Sequence, residues 1–268
     1  MSATRQPASH VITLTTDFGG GSPYVAAMKG VVLSINPQAT LVDITHDIPP
    51  QNIRQGAVAL ADASVRFPAD SIHVAVVDPG VGTQRNVVYT RFGRQHFIAP
   101  DNGLLDRLAA QQPPDKIVAL TNPKYWLPDV STTFHGRDIM APVAAHLSLG
   151  TDPDDLGTPQ DKLVRLDWPE VRIVPGEITG SVESIDSFGN LITDIDESAL
   201  SDCPKDESVR VCCDEHETYG IFQTYGDQPE MTLIALIGSS GKLELAIVNE
   251  SAKIMLGVAA GAPVTVSW

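Results

Sequence analysis

The sequence predicts two domains: an α/β N-terminal domain with a mainly parallel sheet over residues 1–167, and a smaller all-β, barrel-like domain over residues 168–268. Strand and helix patterns alternate in the first part of the chain, which is typical of parallel βαβ units with helices on both faces of the sheet. Short alternating segments separated by Gly and polar turns fill the last part, as in small antiparallel barrels. Pro169 and Pro175-Gly176 lie between the two patterns and predict a linker.

The N-terminal elements follow from apolar runs and from helical spacing of apolar residues. Strands are predicted at 10–16, 40–45, 71–77 and 116–121, a hairpin turning at Phe92-Gly93-Arg94 within 86–100, and helices near 24–32, 53–61, 104–110 and 137–147. The segment 71–77 is apolar on both faces, which favours a central parallel strand. In the C-terminal domain, strands are predicted at 177–185, 190–195, 208–214, 231–237, 242–248 and 263–268.

The chain has 268 residues and a formal net charge of −15, with 43% hydrophobic and 19% charged residues, as in folded globular proteins. The acidic balance argues against nucleic acids and anionic membranes as partners, because both call for basic patches. No uncharged apolar run reaches the ~18 residues of a membrane span. Residues 1–10 lack the apolar core of a signal peptide, so we expect a cytoplasmic protein.

Several familiar cofactor and metal motifs are absent or incomplete. DFG at 17–19 and GSSGK at 238–242 match kinase and P-loop motifs only in part, and no GxGxxG follows the first strand. The cysteines are too few and odd in number for a disulfide framework, and CCDEH at 212–216 lacks the two spaced ligand pairs usual in zinc sites. We therefore expect neither a bound metal nor a separate cofactor.

The segment VVDPGVGTQR places an acid and a base around a Gly-rich turn. Asp78 follows the third strand, and Gly80 and Gly82 allow the chain to curl so that Arg85 approaches it. The pair could act on a ligand or simply brace the loop.

His135, just before a predicted helix, is a second candidate for proton chemistry. The positive helix end disfavours a protonated ring, so a neutral His could hold or relay a proton. The alternative is a hydrogen-bonded loop histidine.

Two further segments suggest ligand contacts. Asp17 ends the first strand, where ligands of open α/β sheets bind, and its carboxylate could accept two hydrogen bonds from a ribose diol or cap its own turn. In IDSFGN, Asp186 and Asn190 flank a Phe-Gly turn: the Asn amide could bond a base and Phe188 could stack on it, or the segment could be only a hairpin.

Together the segments TTDFGG, DITHDIPP, VVDPGVGTQR, FIAPDNGLL, TFHGRD and IDSFGN resemble the S-adenosylmethionine (SAM) hydroxide adenosyltransferase family, in the family's order and over nearly the whole chain. The resemblance implies hydrolysis of SAM to adenosine and L-methionine by a homotrimer with sites between subunits. It assigns Asp78, Arg85 and His135 to the catalytic set and Asp17 to the ribose. It assigns Asp186 to the methionine moiety, Asn190 and Phe188 to adenine, and, on looser alignment, Tyr225 to stacking and Ser239 to the methionine end.

The chain departs from this pattern at two positions. Relatives often carry a second acid where this chain has Ser22, and the related halogenases have a serine–arginine pair where it has Ser239-Ser240. The Asp and Arg of the VDPGVGTQR loop and the lack of a long insertion before the IAP segment favour a hydrolase over a fluorinase. Two alternatives remain at this point: a halide-dependent adenosyl transferase, and a protein that binds SAM or adenosine without turnover.

Overall fold

The computed structural model describes residues 11–268, so His10, at the start of the first predicted strand, lies outside the described residues. The chain divides into unit 1, Met1–Leu166, and unit 2, Asp167–Trp268. Each unit has its own hydrophobic core. No helix among residues 11–268 is both long and apolar enough to cross a membrane.

The elements of unit 1 alternate as the sequence predicts. The strands are β1 Val11–Thr16, β2 Thr40–Thr45, β3 Ile72–Val76, β4 Val87–Phe92, β5 Gln95–Pro100, β6 Lys116–Ala119 and β7 Thr158–Pro159. The helices are α1 Tyr24–Ile35, α2 Ile53–Ser64, α3 Asp106–Gln111 and α4 Ala141–Ser148, with a π-helical turn Gly136–Met140 before α4 and short 3₁₀ turns at Pro123–Tyr125 and Pro153–Leu156.

The sheet of unit 1 has the order β2-β1-β3-β5-β4-β6-β7. In this order the neighbours β2, β1, β3 and β5 pair in parallel. The pairs β5–β4, β4–β6 and β6–β7 are antiparallel. One core cluster packs α1 and α4 on one set of strand side chains, and another packs α2 and α3 on the other set. The predicted α/β fold with helices on both faces is therefore confirmed.

Two neighbouring parallel strands determine where the polar residues collect. In the pairing of β1 with β3, Thr16 lies opposite Val76. Asp17 follows Thr16 directly and Asp78 lies two residues beyond Val76. Because parallel strands end at the same edge of a sheet, these carboxylates come to one side of unit 1.

Unit 2 is antiparallel throughout its described strands. These are β8 Arg172–Val174, β9 Glu177–Ile185, β10 Leu191–Asp196, β11 Arg210–Cys213, β12 His216–Tyr219, β13 Leu233–Ile237, β14 Lys242–Ile247 and β15 Pro263–Ser267. A short helix α5 spans Ala252–Leu256, and 3₁₀ turns span Glu197–Leu200 and Tyr225–Asp227. The sheet order is β12-β11-β15-β9-β10-β14-β13, with β8 also paired to β9.

The sheet of unit 2 curls into a nearly closed barrel, which confirms the predicted class. The Thr218 hydroxyl on β12 donates a hydrogen bond to the Leu233 carbonyl on β13 at 2.7 Å, which links the two ends of the strand order. The predicted linker at Pro175-Gly176 is wrong: these residues form the turn between β8 and β9, where Val174 pairs with Glu177. The error arose because a Pro-Gly pair marks a tight hairpin as readily as a domain boundary.

Candidate functional site

The carboxylate of Asp78 and the guanidinium of Arg85 meet just beyond the carboxyl end of β3. Arg85 donates from Nε to Asp78 Oδ1 at 2.8 Å and from a terminal nitrogen to Asp78 Oδ2, so the pair is bidentate. Only 11% of the Arg85 side chain and 5% of the Asp78 side chain are exposed. Solvent therefore screens the pair weakly, and its geometry is fixed before any ligand arrives.

The loop between the two residues is built around one tight approach. The Val81 N–H donates to the Asp78 carbonyl at 3.2 Å, which starts the turn. Gly82 has a φ of +77°, and a Cβ at this position would lie 2.3 Å from the Thr132 carbonyl oxygen. Only glycine therefore lets this loop reach the segment that carries His135.

His135 lies at the start of the π-helical turn, beside the ion pair. Its Nδ1 is 3.0 Å from a terminal nitrogen of Arg85. Because a guanidinium only donates hydrogen bonds, Nδ1 is the acceptor, and the neutral ring carries its proton on Nε2. Burial lowers the pKa of His135 below its usual 6.5, and the charge of Arg85 lowers it further. Burial and Arg85 thus both favour the neutral ring that the sequence predicts.

Asp17 makes its hydrogen bond to a different segment from the one that follows it. Its Oδ2 accepts the Gln51 N–H at 2.8 Å, so it ties two loops together rather than capping its own turn. Its Oδ1 has no hydrogen-bond partner in the part of the chain that the structure describes. A half-buried carboxylate with one oxygen available is suited to accepting hydrogen bonds from a polar ligand.

These side chains share one cavity in unit 1, of about 400 Å³, which Asp17, Asp78 and His135 all line. Arg85 lies behind Asp78 and contacts His135. The cavity wall also contains an aromatic cluster with ring centroids 5.3–5.7 Å apart in edge-to-face contact: Phe18, Tyr24 and Phe134. The residues of the predicted catalytic set therefore lie close together, beside Asp17, the residue predicted to bind the ribose. Apolar side chains surround them.

A second cavity, of about 790 Å³, lies in unit 2. It is lined by every residue that the sequence assigned to a binding role in this domain: Asp186, Phe188, Asn190, Tyr225 and Ser239. These residues come from three separate turns of the barrel, so their grouping is a product of the fold and not of sequence proximity.

The 186–190 turn is both a hairpin and a wall of this cavity. Asp186 Oδ1 accepts the N–H groups of Phe188 and Asn190 at 2.9 and 2.8 Å, and its Oδ2 accepts Asn190 Nδ2 at 3.0 Å. Phe188 is 78% exposed, so its ring presents a bare face. Gly189, with a φ of +88°, lies so close to Ser251 that a Cβ would be 2.0 Å from its Oγ. The segment can therefore be a hairpin and still offer groups that bind a base, so the two interpretations of IDSFGN are compatible.

Glu244 on β14 also lines the cavity, although it is only 6% exposed. The Tyr225 hydroxyl donates to Glu244 Oε1 at 2.5 Å. Burial raises the pKa of Glu244, and the charge of Asp186 raises it further. Burial and this hydrogen bond also raise the pKa of Tyr225. The cavity thus contains a buried acid attached to one of its aromatic side chains.

The CCDEH segment belongs to ordinary strand structure. Cys213 is buried on β11, and burial raises the pKa of its thiol to about 11. His216 Nε2 lies 3.0 Å from the Leu256 carbonyl oxygen. Residues 11–268 contain no group of three or more His, Cys, Asp or Glu side chains placed to hold a metal ion.

Two domain families match the sequence. The SAM hydroxide adenosyltransferase N-terminal domain matches residues 12–157, and the SAM hydroxide adenosyltransferase C-terminal domain matches residues 180–265. The chain belongs to the SAM hydroxide adenosyltransferase family. The resemblance drawn from its motifs is confirmed.

Similar proteins bear hydrolase and fluorinase names. The (R)-S-adenosyl-L-methionine hydrolase of Salinispora tropica is 40% identical over 93% of this chain and 95% of that protein. A fluorinase of Actinoplanes sp. is 28% identical over 71% of this chain and 73% of that protein. A crystal structure of an uncharacterized conserved protein from Thermotoga maritima has a TM-score of 0.92 and 33% identity, covering 96% of this chain and 100% of that chain.

The sequence analysis assigned no role to two residues of interest. Asn102 Nδ2 donates to the Val77 carbonyl at 2.9 Å and so fixes the backbone just before Asp78. Glu244 interrupts the apolar strand KLELAIV, and that acid within a buried strand was the signal that could have identified it. Asn102 offered only its place in the PDNGLL turn, which is also a common turn composition.

Proposed function

We propose that this member of the SAM hydroxide adenosyltransferase family hydrolyses SAM to adenosine and L-methionine, in the (R) form that the hydrolase relatives' name specifies. The observation that supports this most strongly is the convergence of Asp78, Arg85 and His135 beside a cavity that Asp17 also lines. The greater similarity to a named hydrolase than to a named fluorinase supports the same reaction.

The reaction is a displacement at the 5′ carbon of the nucleoside. The oxygen of water attacks C5′ as the C5′–S bond breaks, and the bonding electron pair leaves on sulfur as the neutral thioether of L-methionine. One proton from the water is released. A neutral leaving group needs no general acid, so neither a metal nor a cofactor is part of this proposal.

The Asp78–Arg85–His135 set acts on the water. The Arg85 charge stabilises negative charge that develops on the attacking oxygen, and Asp78 holds Arg85 in place. The only ring lone pair of His135 is directed at Arg85, so its Nε2–H is a donor that orients the water. Asp78 retains lone pairs beyond its two bonds to Arg85, which makes it the better proton acceptor. The proton leaves as the C–O bond forms, when the oxygen is strongly acidic and a carboxylate suffices.

The other predicted residues hold the substrate. The available Oδ1 of Asp17 accepts hydrogen bonds from the ribose hydroxyls. In unit 2, Asn190 bonds the adenine edge, Phe188 and Tyr225 offer stacking faces, and Asp186 and Ser239 lie at the methionine end. The exposed ring of Phe188 and the shared cavity support these roles.

The active form in this proposal is a homotrimer in which each site uses the unit 1 cavity of one subunit and the unit 2 cavity of another. The test is complementation between inactive variants. At SAM concentrations well below the raised KM of Asn190→Ala, Asp78→Ala and Asn190→Ala are each expected to be nearly inactive, whereas trimers mixed in equal amounts should recover about a quarter of the wild-type rate by random assembly. Scattering or ultracentrifugation should give three times the chain mass. A monomer, or mixed oligomers without recovery, would exclude shared sites.

Product analysis tests the reaction itself. Incubation with each sulfonium epimer of SAM, followed by chromatography, should give equimolar adenosine and L-methionine from the (R) form, with no loss of rate in EDTA. Added chloride should give no 5′-chloro-5′-deoxyadenosine. A chlorinated product would make the protein a halogenase, and intact SAM in a stable complex would make it a binding protein.

A further inference from the structure

The cavity of unit 2 carries acids without basic partners. Asp186, Glu244 and Glu250 line it, and no Lys or Arg belongs to its lining among the residues that the structure describes. Lys242, two residues before Glu244 on β14, is ion-paired with Glu183, and these side chains are 6% and 7% exposed. This strand cation is therefore already neutralised, and the charged residues in the described lining are all acids.

One carboxylate oxygen of Glu244 accepts no hydrogen bond from the described residues. Its Oε1 accepts the Tyr225 hydroxyl, whereas its Oε2 has no hydrogen-bond partner within residues 11–268. Glu244 Oε2 lies beside Gly238, where a Cβ would be 2.4 Å away from it. Glu244 is only 6% exposed as a residue, and its Oε2 is not among the fully buried unpaired atoms, so this oxygen can accept a hydrogen bond from a cationic or hydrogen-bond-donating ligand in the cavity.

The turn beside Glu244 offers only neutral groups. Gly238 and Gly241 close it through a hydrogen bond of 3.0 Å. Ser239 and Ser240 are exposed at its tip, and neither uses its hydroxyl in a hydrogen bond within the described chain. Among the described lining residues of this cavity, a ligand carboxylate placed here would find serine donors but no Lys or Arg, with three acids beside them.

We infer that this site selects its substrate by the ammonium of the tail and does not require the carboxylate, so that sulfonium nucleosides with a 3-aminopropyl tail in place of the amino-acid tail are also hydrolysed. The inference rests on the proposed function and extends its substrate class. Removal of the carboxylate takes away repulsion from Asp186, Glu244 and Glu250, while the ammonium that they attract remains. Removal of the carboxylate weakens binding through the lost serine hydrogen bonds and strengthens it through the lost repulsion, so the two effects oppose each other.

The reaction with the shortened substrate has the same balance. Water attacks C5′, the C5′–S bond breaks with its electron pair on sulfur, and one proton is released. The products are adenosine and 3-(methylthio)propylamine, the latter as its ammonium. Adenosine release therefore reports on both substrates in one assay.

The test compares kcat/KM for SAM and for the 3-aminopropyl analogue, with the full-length protein and chromatographic detection of adenosine. The analogue is expected to reach at least a third of the value for SAM, because no charge-assisted bond is lost with the carboxylate. A loss of more than tenfold would overturn the inference. Failure to release adenosine from SAM itself would instead overturn the proposed function.

Two substitutions change the charge at the same place. Ser240→Arg adds a cation at an exposed turn position and should shift the kcat/KM ratio towards SAM by about tenfold, as expected for a charge-assisted contact. Ser240→Gln, which is long but uncharged, is the matched control and should shift the ratio far less. Glu244→Gln should shift it towards SAM by about threefold, because the analogue depends more on the removed charge. An unchanged ratio in Ser240→Arg and Glu244→Gln would show that the tail does not meet this surface.

Discussion

The two cavities differ in how their charges are compensated. In unit 1, Asp78 and Arg85 satisfy each other, and Arg85 also engages His135. In unit 2, the acids face the cavity without a basic partner among the described lining residues. Charges that are paired within the chain hold a fixed geometry, as chemistry on a small nucleophile requires. Charges that are left unpaired gain their partner only when a ligand binds.

Burial acts on both cavities but on opposite kinds of group. It lowers the pKa of His135 in unit 1 and raises the pKa of Glu244 in unit 2. Each shift favours the neutral form of its group, because low solvation disfavours charge of either sign. The comparison therefore predicts that changes to the Asp78–Arg85–His135 set of unit 1 alter kcat, whereas changes to the cavity of unit 2 alter KM.

The largest effect is expected from the ion pair of unit 1. Arg85→Ala or Asp78→Ala should lower kcat by about 10²–10³, in the range seen when one preorganised stabilising group is removed. The dissociation constant for SAM, measured by calorimetry, should change by less than about threefold, because these residues act on the water. Arg85→Lys is the matched control, since it keeps the charge and loses the bidentate contact. Its kcat should lie between those of the wild type and Arg85→Ala. Unchanged single-turnover chemistry with lost binding would reverse the assignment.

Asp17 should give a smaller effect, and on binding. Asp17→Asn removes the charge that strengthens hydrogen bonds to the ribose, which should raise the dissociation constant about tenfold. Asp47→Asn neutralises an exposed acid on the neighbouring loop that does not line the cavity and serves as the control. Equal affinity in the wild type and Asp17→Asn would leave the Asp17 carboxylate with only its bond to Gln51.

The site residues that the sequence predicted lie at the ends of strands whose direction could be inferred from the sequence. Asp17 and Asp78 follow apolar strands, and the parallel order of those strands brings them to one edge. Glu244 could not be placed in this way, because its strand is buried at every position and alternation does not distinguish the faces. The π-helical turn after His135 was also not predicted, since its residues fit an ordinary helical pattern. The strand β12 was missed because His216–Tyr219 is short and largely polar.

A still smaller change is expected at the aromatic side of unit 2. Tyr225→Phe keeps the ring and removes the hydroxyl that bonds Glu244, so KM should change by about threefold with kcat unaltered. Tyr225→Leu, which removes the ring, should raise KM further through lost stacking. Initial-rate measurements over a range of SAM concentrations separate the two parameters. A fall in kcat for Tyr225→Phe would mean that the cavity of unit 2 also governs the chemical step.

The smallest effect is expected in the pH profile of kcat. An ordinary His with a pKa of 6.5 would lose about fourfold of its neutral form between pH 7.5 and 6.0. Because burial and Arg85 lower the pKa of His135, its ring loses less of its neutral form over this range, and kcat should fall by clearly less than fourfold. KM should behave differently, since Glu244 gains its proton at a pH above the ordinary 4.5, and loss of that charge weakens attraction for a cation. KM should therefore rise as the pH is lowered, starting at a higher pH than for an ordinary Glu, and Glu244→Gln should remove most of the rise. A kcat that halves near pH 6.5 would show that the contact with Arg85 does not keep the ring neutral.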